Sequence, residues 1–154
     1  MSEKLIEVVG LKKYFKVSAG SLHAVDDLDF YINKGETLGL VGESGCGKST
    51  TGRVILRLIP HTAGEVYYKG ENILNYSNSK MRDMRKEMQM IFQDPYSCLD
   101  PRKSIGQIIA EPLIVNKTVP SREINEKVME LMTKGGVNRK LFNSYPHELD
   151  GGRR

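Results

Sequence analysis

A glycine-rich stretch at residues 42–50 most constrains what this 154-residue chain can fold into. It has the pattern G-x-x-x-x-G-K-S/T and lies between a short apolar run at 37–41 and a helical segment at 48–58 that stops before Pro60. Glycines let a loop turn its N–H groups toward phosphate oxygens, and the start of the following helix adds a positive end there. The pattern predicts a nucleotide-phosphate site formed by Gly42, Glu43, Ser44, Gly45, Cys46, Gly47, Lys48, Ser49 and Thr50.

Two residues carry the chemistry of this predicted loop. A lysine at the position of Lys48 reaches the β- and γ-phosphates of a nucleotide, and the hydroxyl of Ser49 ligates Mg²⁺. Cys46 lies inside the loop, and the sequence contains no Cys–His arrangement around it. We therefore predict that Cys46 lines the phosphate site without acting as a nucleophile.

Composition narrows the class of protein. Hydrophobic residues make up 39% of the chain and charged residues 27%, as in an ordinary soluble globular protein. No apolar run approaches the roughly 20 residues of a membrane-spanning helix, and the N-terminus lacks a signal-peptide pattern. Cys46 and Cys98 are expected to be reduced thiols. The net charge of +4 is spread along the chain without a basic run, so we expect an anionic ligand and no nucleic acid.

Hydrophobic periodicity predicts an α/β fold with an antiparallel strand-rich part near the N-terminus and a helical remainder. Strands are expected at 5–11, 22–32, 37–41 and 88–92, with a strand pair at 65–73 around Lys69 and Gly70. The apolar run 37–41 is typical of a strand buried on both faces, and the run 88–92 is typical of a buried strand. Helices are expected at 48–58, 80–87, 104–113 and 121–134, with Ser121 as an N-cap. The predicted organisation is an ATP-binding core at 1–92 and a helical subdomain at 93–154.

Two further segments, together with the glycine-rich loop, indicate a family. A GTPase would carry an Asn-Lys-x-Asp motif, and the nearest approach, at residues 116–119, does not match it. The sequences G-E-S-G-C-G-K-S-T at 42–50, F-Q-D-P-Y at 92–96 and Y-P-H-E at 145–148 occur in the order found in ATP-binding subunits of ABC transporters. Over essentially its whole length the chain resembles the oligopeptide/dipeptide importer subfamily. The resemblance implies a P-loop NTPase fold of the ABC type.

The resemblance also implies ligands and partners. Phe15 falls where the family stacks an aromatic ring on adenine, with Tyr14 as a rival one position away. Gln93 falls at the glutamine that joins Ser49 on Mg²⁺, so Lys48 and Gln93 are the expected catalytic residues of an ATPase. The implied partners are a second ABC ATPase subunit, identical or different, the membrane permease subunits and, indirectly, a substrate-binding protein. The implied location is peripheral, on the cytoplasmic face of the cell membrane.

The sequence departs from the family near its end. Residues 149–153 read L-D-G-G-R where the family has L-S-G-G-Q, and Asp150, Gly151 and Gly152 would face the partner's nucleotide. Asp150 either weakens that composite site by repelling phosphate or caps the next helix. No apolar strand ending in Asp-Glu follows, so we expect the N-terminal part of a longer ATPase, inactive in hydrolysis by itself. A soluble ABC ATPase without a transporter, an importer of another solute such as nickel, and a non-enzymatic nucleotide-binding module are the alternatives.

Overall fold

Two long strands, β1 (Lys4–Val17) and β2 (Gly20–Asn33), dominate the first part of the chain in the computed structural model, which describes residues 3–94 and 98–149. They pair antiparallel, and β3 (Ala63–Tyr68) pairs antiparallel with the other side of β1. The short strand β4 (Glu71–Asn72) completes a sheet of order β2-β1-β3-β4. Lys69 and Gly70, both with positive φ, form the turn between β3 and β4, which confirms the predicted strand pair.

The helices of the first compact unit, Met1–Met90, pack their apolar residues on this sheet. They are α1 (Lys48–Ile55) and α2 (Asn78–Met84), and α2 begins where the Ser77 hydroxyl accepts the Lys80 amide N–H at 3.2 Å. Arg57 follows α1 and donates to the carbonyls of Ile73 and Tyr76 at 3.0 and 2.7 Å, which ties the end of that helix to the turn after β4. The core is formed by Val8, Leu11, Val25, Val54, Val66, Tyr68, Ile73, Leu74, Met81 and Met84.

In the described residues of the second unit, Ile91–Arg154, the secondary structure consists of helices and 3₁₀ turns without a strand, as predicted. Its helices are α3 (Ile105–Val115) and α4 (Ile124–Lys134), and Ser104 and Gln107 form a capping box at the start of α3. The predicted N-cap at Ser121 is wrong, because Ser121–Glu123 forms a 3₁₀ turn and α4 begins after it. Ile105, Ala110, Val128, Met132 and Leu149 form a separate core. Within 3–94 and 98–149, no helix is long and apolar enough to cross a membrane.

The predictions of buried strands at 37–41 and 88–92 are wrong. Residues 37–41 and 88–92 form no strand, and Val41 and Ile91 are 92% and 94% exposed. A strand of this kind is stable only when neighbouring strands accept and donate its backbone hydrogen bonds. In the described part of the chain, the sheet contains β1 to β4 alone, and none of them pairs with either segment. The apolar composition of the two segments is therefore compatible with a strand only where a neighbouring strand pairs with it, and none does so in the described residues.

An ion-pair network on α4 makes the stability of the helical unit depend on pH. Hydrogen bonds from Lys127 and then Lys134, at 2.7 and 2.6 Å, hold the pKa of Glu130 at about 2, below its ordinary value of 4.5. A carboxylate whose pKa is lowered by folding stabilises the fold above its unfolded pKa, and this contribution disappears as the pH falls toward the folded pKa. We expect the thermal midpoint of Glu130→Gln, followed by circular dichroism, to fall less than that of the wild type between pH 5 and pH 2.

Glu126→Gln is the matched control, because Glu126 lies on the same helix and has no ion pair in the described part of the chain. It should keep the pH dependence of the wild type. An equal change in both variants would show that the Lys127–Glu130–Lys134 network does not contribute.

Candidate phosphate-binding site

The glycine-rich loop folds directly onto the start of α1. Gly45 and Gly47 have φ angles of 83° and 93°, in the left-handed region that side chains rarely adopt, and Gly47 is the N-cap of the helix. A Cβ atom at Gly47 would lie 2.0 Å from the carbonyl oxygen of Ala24 on β2. The loop therefore requires glycine at this position for two independent reasons, its backbone conformation and the close approach of β2.

The first turn of α1 is held in place by Thr51. Its amide N–H and its hydroxyl donate to the Gly47 carbonyl at 2.8 and 3.0 Å, and its side chain is buried. The first amide N–H groups of a helix have no partner within the helix, and no acidic residue lies in this turn. These groups and the helix dipole make the loop a favourable place for a phosphate.

Lys48 is the cation of the loop. Its ammonium donates to the carbonyls of Gly42 and Glu43 at 2.7 and 2.6 Å and lies 3.5 Å from the Cys46 sulfur. Both carbonyls belong to the exposed loop, so water replaces the ammonium at low cost when it turns to an anion. These two hydrogen bonds hold the Lys48 side chain inside the loop.

A cleft of about 290 Å³ opens beside Lys48 and Cys46. On its β2 side it is lined by His23, Ala24, Val25, Asp26 and Leu28. Sequence reasoning did not assign His23 or Asp26 to the site. No local signal could have done so, because the strand register that brings them to the loop is a tertiary property.

Asp26 is the charged group at the β2 wall of this cleft. The Tyr14 hydroxyl donates to it, and the His23 Nδ1 atom lies 3.3 Å from it, with the Tyr14 and His23 rings stacked at a centroid distance of 3.7 Å. The hydrogen bond from Tyr14 and then that of His23 lower the pKa of Asp26 below its ordinary 3.8, and the same bond to Asp26 raises the pKa of Tyr14. Asp26 therefore places a negative charge in the same cleft as Lys48.

The two candidates for the base-stacking residue have different surroundings. Tyr14 is held on β1 by the His23 ring and by Asp26. Phe15 is half-buried, and the Lys13 ammonium lies 4.6 Å from its ring centroid. The assignment of Phe15 to adenine stays a prediction.

The predicted metal ligands lie in different units. Ser49 is exposed in the first turn of α1, and Thr50 follows it, whereas Gln93 is an exposed residue of the second unit. Their joint role in binding Mg²⁺ stays a prediction. Within the described ranges, no group of three or more His, Cys, Asp or Glu side chains forms a metal centre. Asp150, Gly151 and Gly152 lie outside the described residues.

A glycine nest followed by a helix start with a lysine inside the loop defines the P-loop class of phosphate-binding proteins. The family model described as ABC transporter matches residues 25–154. The chain belongs to the ABC transporter family. It is 51% identical to the oligopeptide transport ATP-binding protein OppF of Bacillus subtilis over 100% of this chain and 51% of that protein. It is 43% identical to the dipeptide transport ATP-binding protein DppF of Haemophilus influenzae over 97% of this chain and 48% of that protein.

Solved structures show the same fold. A dimeric bacterial ABC transporter cassette superimposes with a TM-score of 0.79 at 24% identity, over 96% of this chain and 64% of the cassette. The cbiO1 protein of Clostridium perfringens, part of an ABC transporter complex, superimposes with a TM-score of 0.71 at 25% identity, over 97% of this chain and 57% of that protein. These likenesses confirm the predicted fold class. The chain spans about half the length of the curated relatives it matches.

Proposed function

We propose that this chain belongs to an ATP-binding and ATP-hydrolysing subunit that drives import of oligopeptides or dipeptides. The observation that carries the proposal is the loop at residues 42–47 with Lys48 held inside it at the start of α1. The names of its relatives, which are oligopeptide and dipeptide transport ATP-binding proteins, support the choice of cargo. The chemistry of the loop accounts for phosphate binding, and the cargo is assigned by similarity.

The proposed roles follow from the chemistry of the side chains and from the family resemblance. Lys48 and the amide N–H groups at the start of α1 hold the β- and γ-phosphates of ATP and stabilise the charge that develops during hydrolysis. The Ser49 hydroxyl and the Gln93 carboxamide supply neutral oxygen atoms, which fit Mg²⁺ when nucleotide phosphates and water complete its shell. The bound Mg²⁺ would neutralise phosphate charge. Phe15 stacks on the base.

We further propose that hydrolysis requires the full subunit and a partner. The family resemblance places Asp150, Gly151 and Gly152 at the nucleotide of a second ABC ATPase subunit, and a dimeric cassette among the solved structures supports this arrangement. Membrane permease subunits would hold the dimer at the cytoplasmic face of the membrane, with a substrate-binding protein acting on the other side. Affinity purification of the tagged full-length subunit from membranes should recover permease subunits, and their absence would favour a soluble ATPase.

Labelling of Cys46 tests nucleotide binding in the loop. Cys46 is exposed and lies 3.5 Å from the Lys48 ammonium, so a nucleotide in the loop covers it. We expect MgATP at about ten times its Kd to slow alkylation of Cys46 about tenfold, because alkylation is then confined to the unliganded fraction. Peptide mass spectrometry after timed treatment with N-ethylmaleimide measures the rate.

Cys98 is the internal control, because it is also exposed but belongs to the second unit. Its alkylation rate should not change. Equal labelling of Cys46 with and without MgATP would contradict the proposed site.

A further inference from the structure

Lys13 on β1 has a largely buried side chain that the proposed nucleotide site does not yet use. It is 8% exposed. Its ammonium lies 4.6 Å from the ring centroid of Phe15, and within the described residues it has no hydrogen bond and no ion pair. In the described residues no buried side-chain nitrogen lacks a hydrogen-bond partner, so the ammonium reaches water while the stem of the side chain is buried. The contact with the ring is the interaction that an apolar side chain of similar size would not make here.

Three other lysines of the described chain lie over aromatic rings, and each has different surroundings. Lys4 lies over Tyr31, Lys69 over Tyr68 and Lys80 over Tyr76. Each of these lysines also forms an ion pair with a glutamate, and each side chain is at least half exposed. Among these four lysines, Lys13 alone has a largely buried side chain and forms no ion pair in the described residues.

Lys13 and Phe15 lie on the face of the sheet that is turned toward the phosphate loop. Lys13 pairs with Val25 on β2, and directly paired side chains share a face. A Cβ atom at Gly47, the N-cap of α1, would lie 3.7 Å from Val25. Phe15 is two residues from Lys13 and is in contact with it, so it presents its ring on this face. In the described residues, no other aromatic ring is stacked on Phe15.

We propose that Lys13 is a positioning residue for nucleotide binding, which holds the Phe15 ring by its ammonium so that the ring stacks on the base. The proposal rests on the proposed function, because it requires that a nucleotide occupies the loop. A cation at one face withdraws electron density from the ring, which favours stacking of an electron-rich purine on the other face. Lys13 thereby acts on the base and not on the phosphates.

Calorimetric titration of the 154-residue chain with MgATP and with Mg-tripolyphosphate distinguishes binding of the base from binding of the phosphates. Lys13→Met should weaken binding of MgATP about twofold to fivefold, as expected for loss of a cation–π contact whose ammonium reaches water, and leave binding of tripolyphosphate unchanged. Lys13→Arg keeps the cation and should restore most of the affinity for MgATP. In a Phe15→Leu background, Lys13→Met should have no further effect. Lys4→Met removes the exposed cation at the other end of β1 and should bind both ligands like the wild type.

The outcomes distinguish this proposal from the proposed function. A wild-type chain that binds neither ligand overturns both. A wild type that binds both, with Lys13→Met unchanged or equally weakened for both, overturns the role of Lys13 alone. An effect of Lys13→Met that persists without Phe15 also overturns it.

A second measurement uses the wild-type chain, so it does not depend on folding of the variant. Protons of a lysine Cε over an aromatic ring resonate upfield, and for Lys13 this shift should respond to MgATP and not to Mg-tripolyphosphate. An identical response to the two ligands would overturn the proposal.

Discussion

Replacing Lys48 with methionine should weaken binding of MgATP by about 100-fold, because about 3 kcal/mol of charge-assisted hydrogen bonding to the phosphates is lost. The Lys48 ammonium donates to the carbonyls of Gly42 and Glu43, both in the exposed loop. Water can replace it there, so the thermal midpoint should stay within a few degrees of the wild type. Calorimetric titration and thermal unfolding of the same samples measure the two quantities.

Lys86→Met is the matched control for this variant. Lys86 is an exposed lysine that follows α2 and forms an ion pair at 2.8 Å with Asp83 of that helix. It should bind MgATP like the wild type. If Lys48→Met retained full affinity, the loop would not be a phosphate site.

Replacing Gly47 with alanine should cost about 2–4 kcal/mol of stability and abolish measurable binding of MgATP. The new Cβ would lie 2.0 Å from the Ala24 carbonyl oxygen, a backbone atom that moves only if β2 or the loop moves. The φ angle of 93° adds the strain of a left-handed conformation. Denaturant unfolding measures the loss of stability, and titration at a temperature where the variant is folded measures binding.

Variants of two other glycines distinguish a loss of stability from a direct effect on binding of MgATP. A Cβ at Gly45 meets nothing within 4 Å, so Gly45→Ala should pay only the strain of its positive φ, about 1 kcal/mol. A Cβ at Gly64 would lie 2.4 Å from the Gly10 carbonyl oxygen, between β3 and β1. Gly64→Ala should therefore destabilise the chain as Gly47→Ala does but, where folded, bind MgATP with wild-type affinity. Binding lost in both variants would assign the effect of Gly47→Ala to general instability.

The sequence predicted the helices and the short strand pair because the caps, apolar positions and turns that form them lie within a few residues of one another. The Ser104–Gln107 capping box and the apolar positions of α3 are within one sequence window, and so is the Lys69–Gly70 turn. Boundaries moved by a few residues where capping geometry decided them, as at Ser121. The family resemblance rested on similar short segments, and the comparisons confirm it.

Whether segments 37–41 and 88–92 form strands depends on residues far away in the sequence. Their apolar composition indicates burial, but a strand exists only when another strand completes its hydrogen bonds. Such a partner is far away in sequence, so composition alone cannot supply it. The exposure of Val41 and Ile91 is the result of that missing pairing in the described structure.

The sequence by itself determined the phosphate loop, since the order of glycines, Lys48 and Ser49 before a helix is a local property. Only the tertiary structure decided that His23 and Asp26 lie beside that loop and that Lys13 is buried over Phe15. The reason is strand register. The pairing register of β1 and β2 shifts between the pair Lys13–Val25 and the pair Tyr14–His23. A shift of one residue changes which side chains share a face of the sheet.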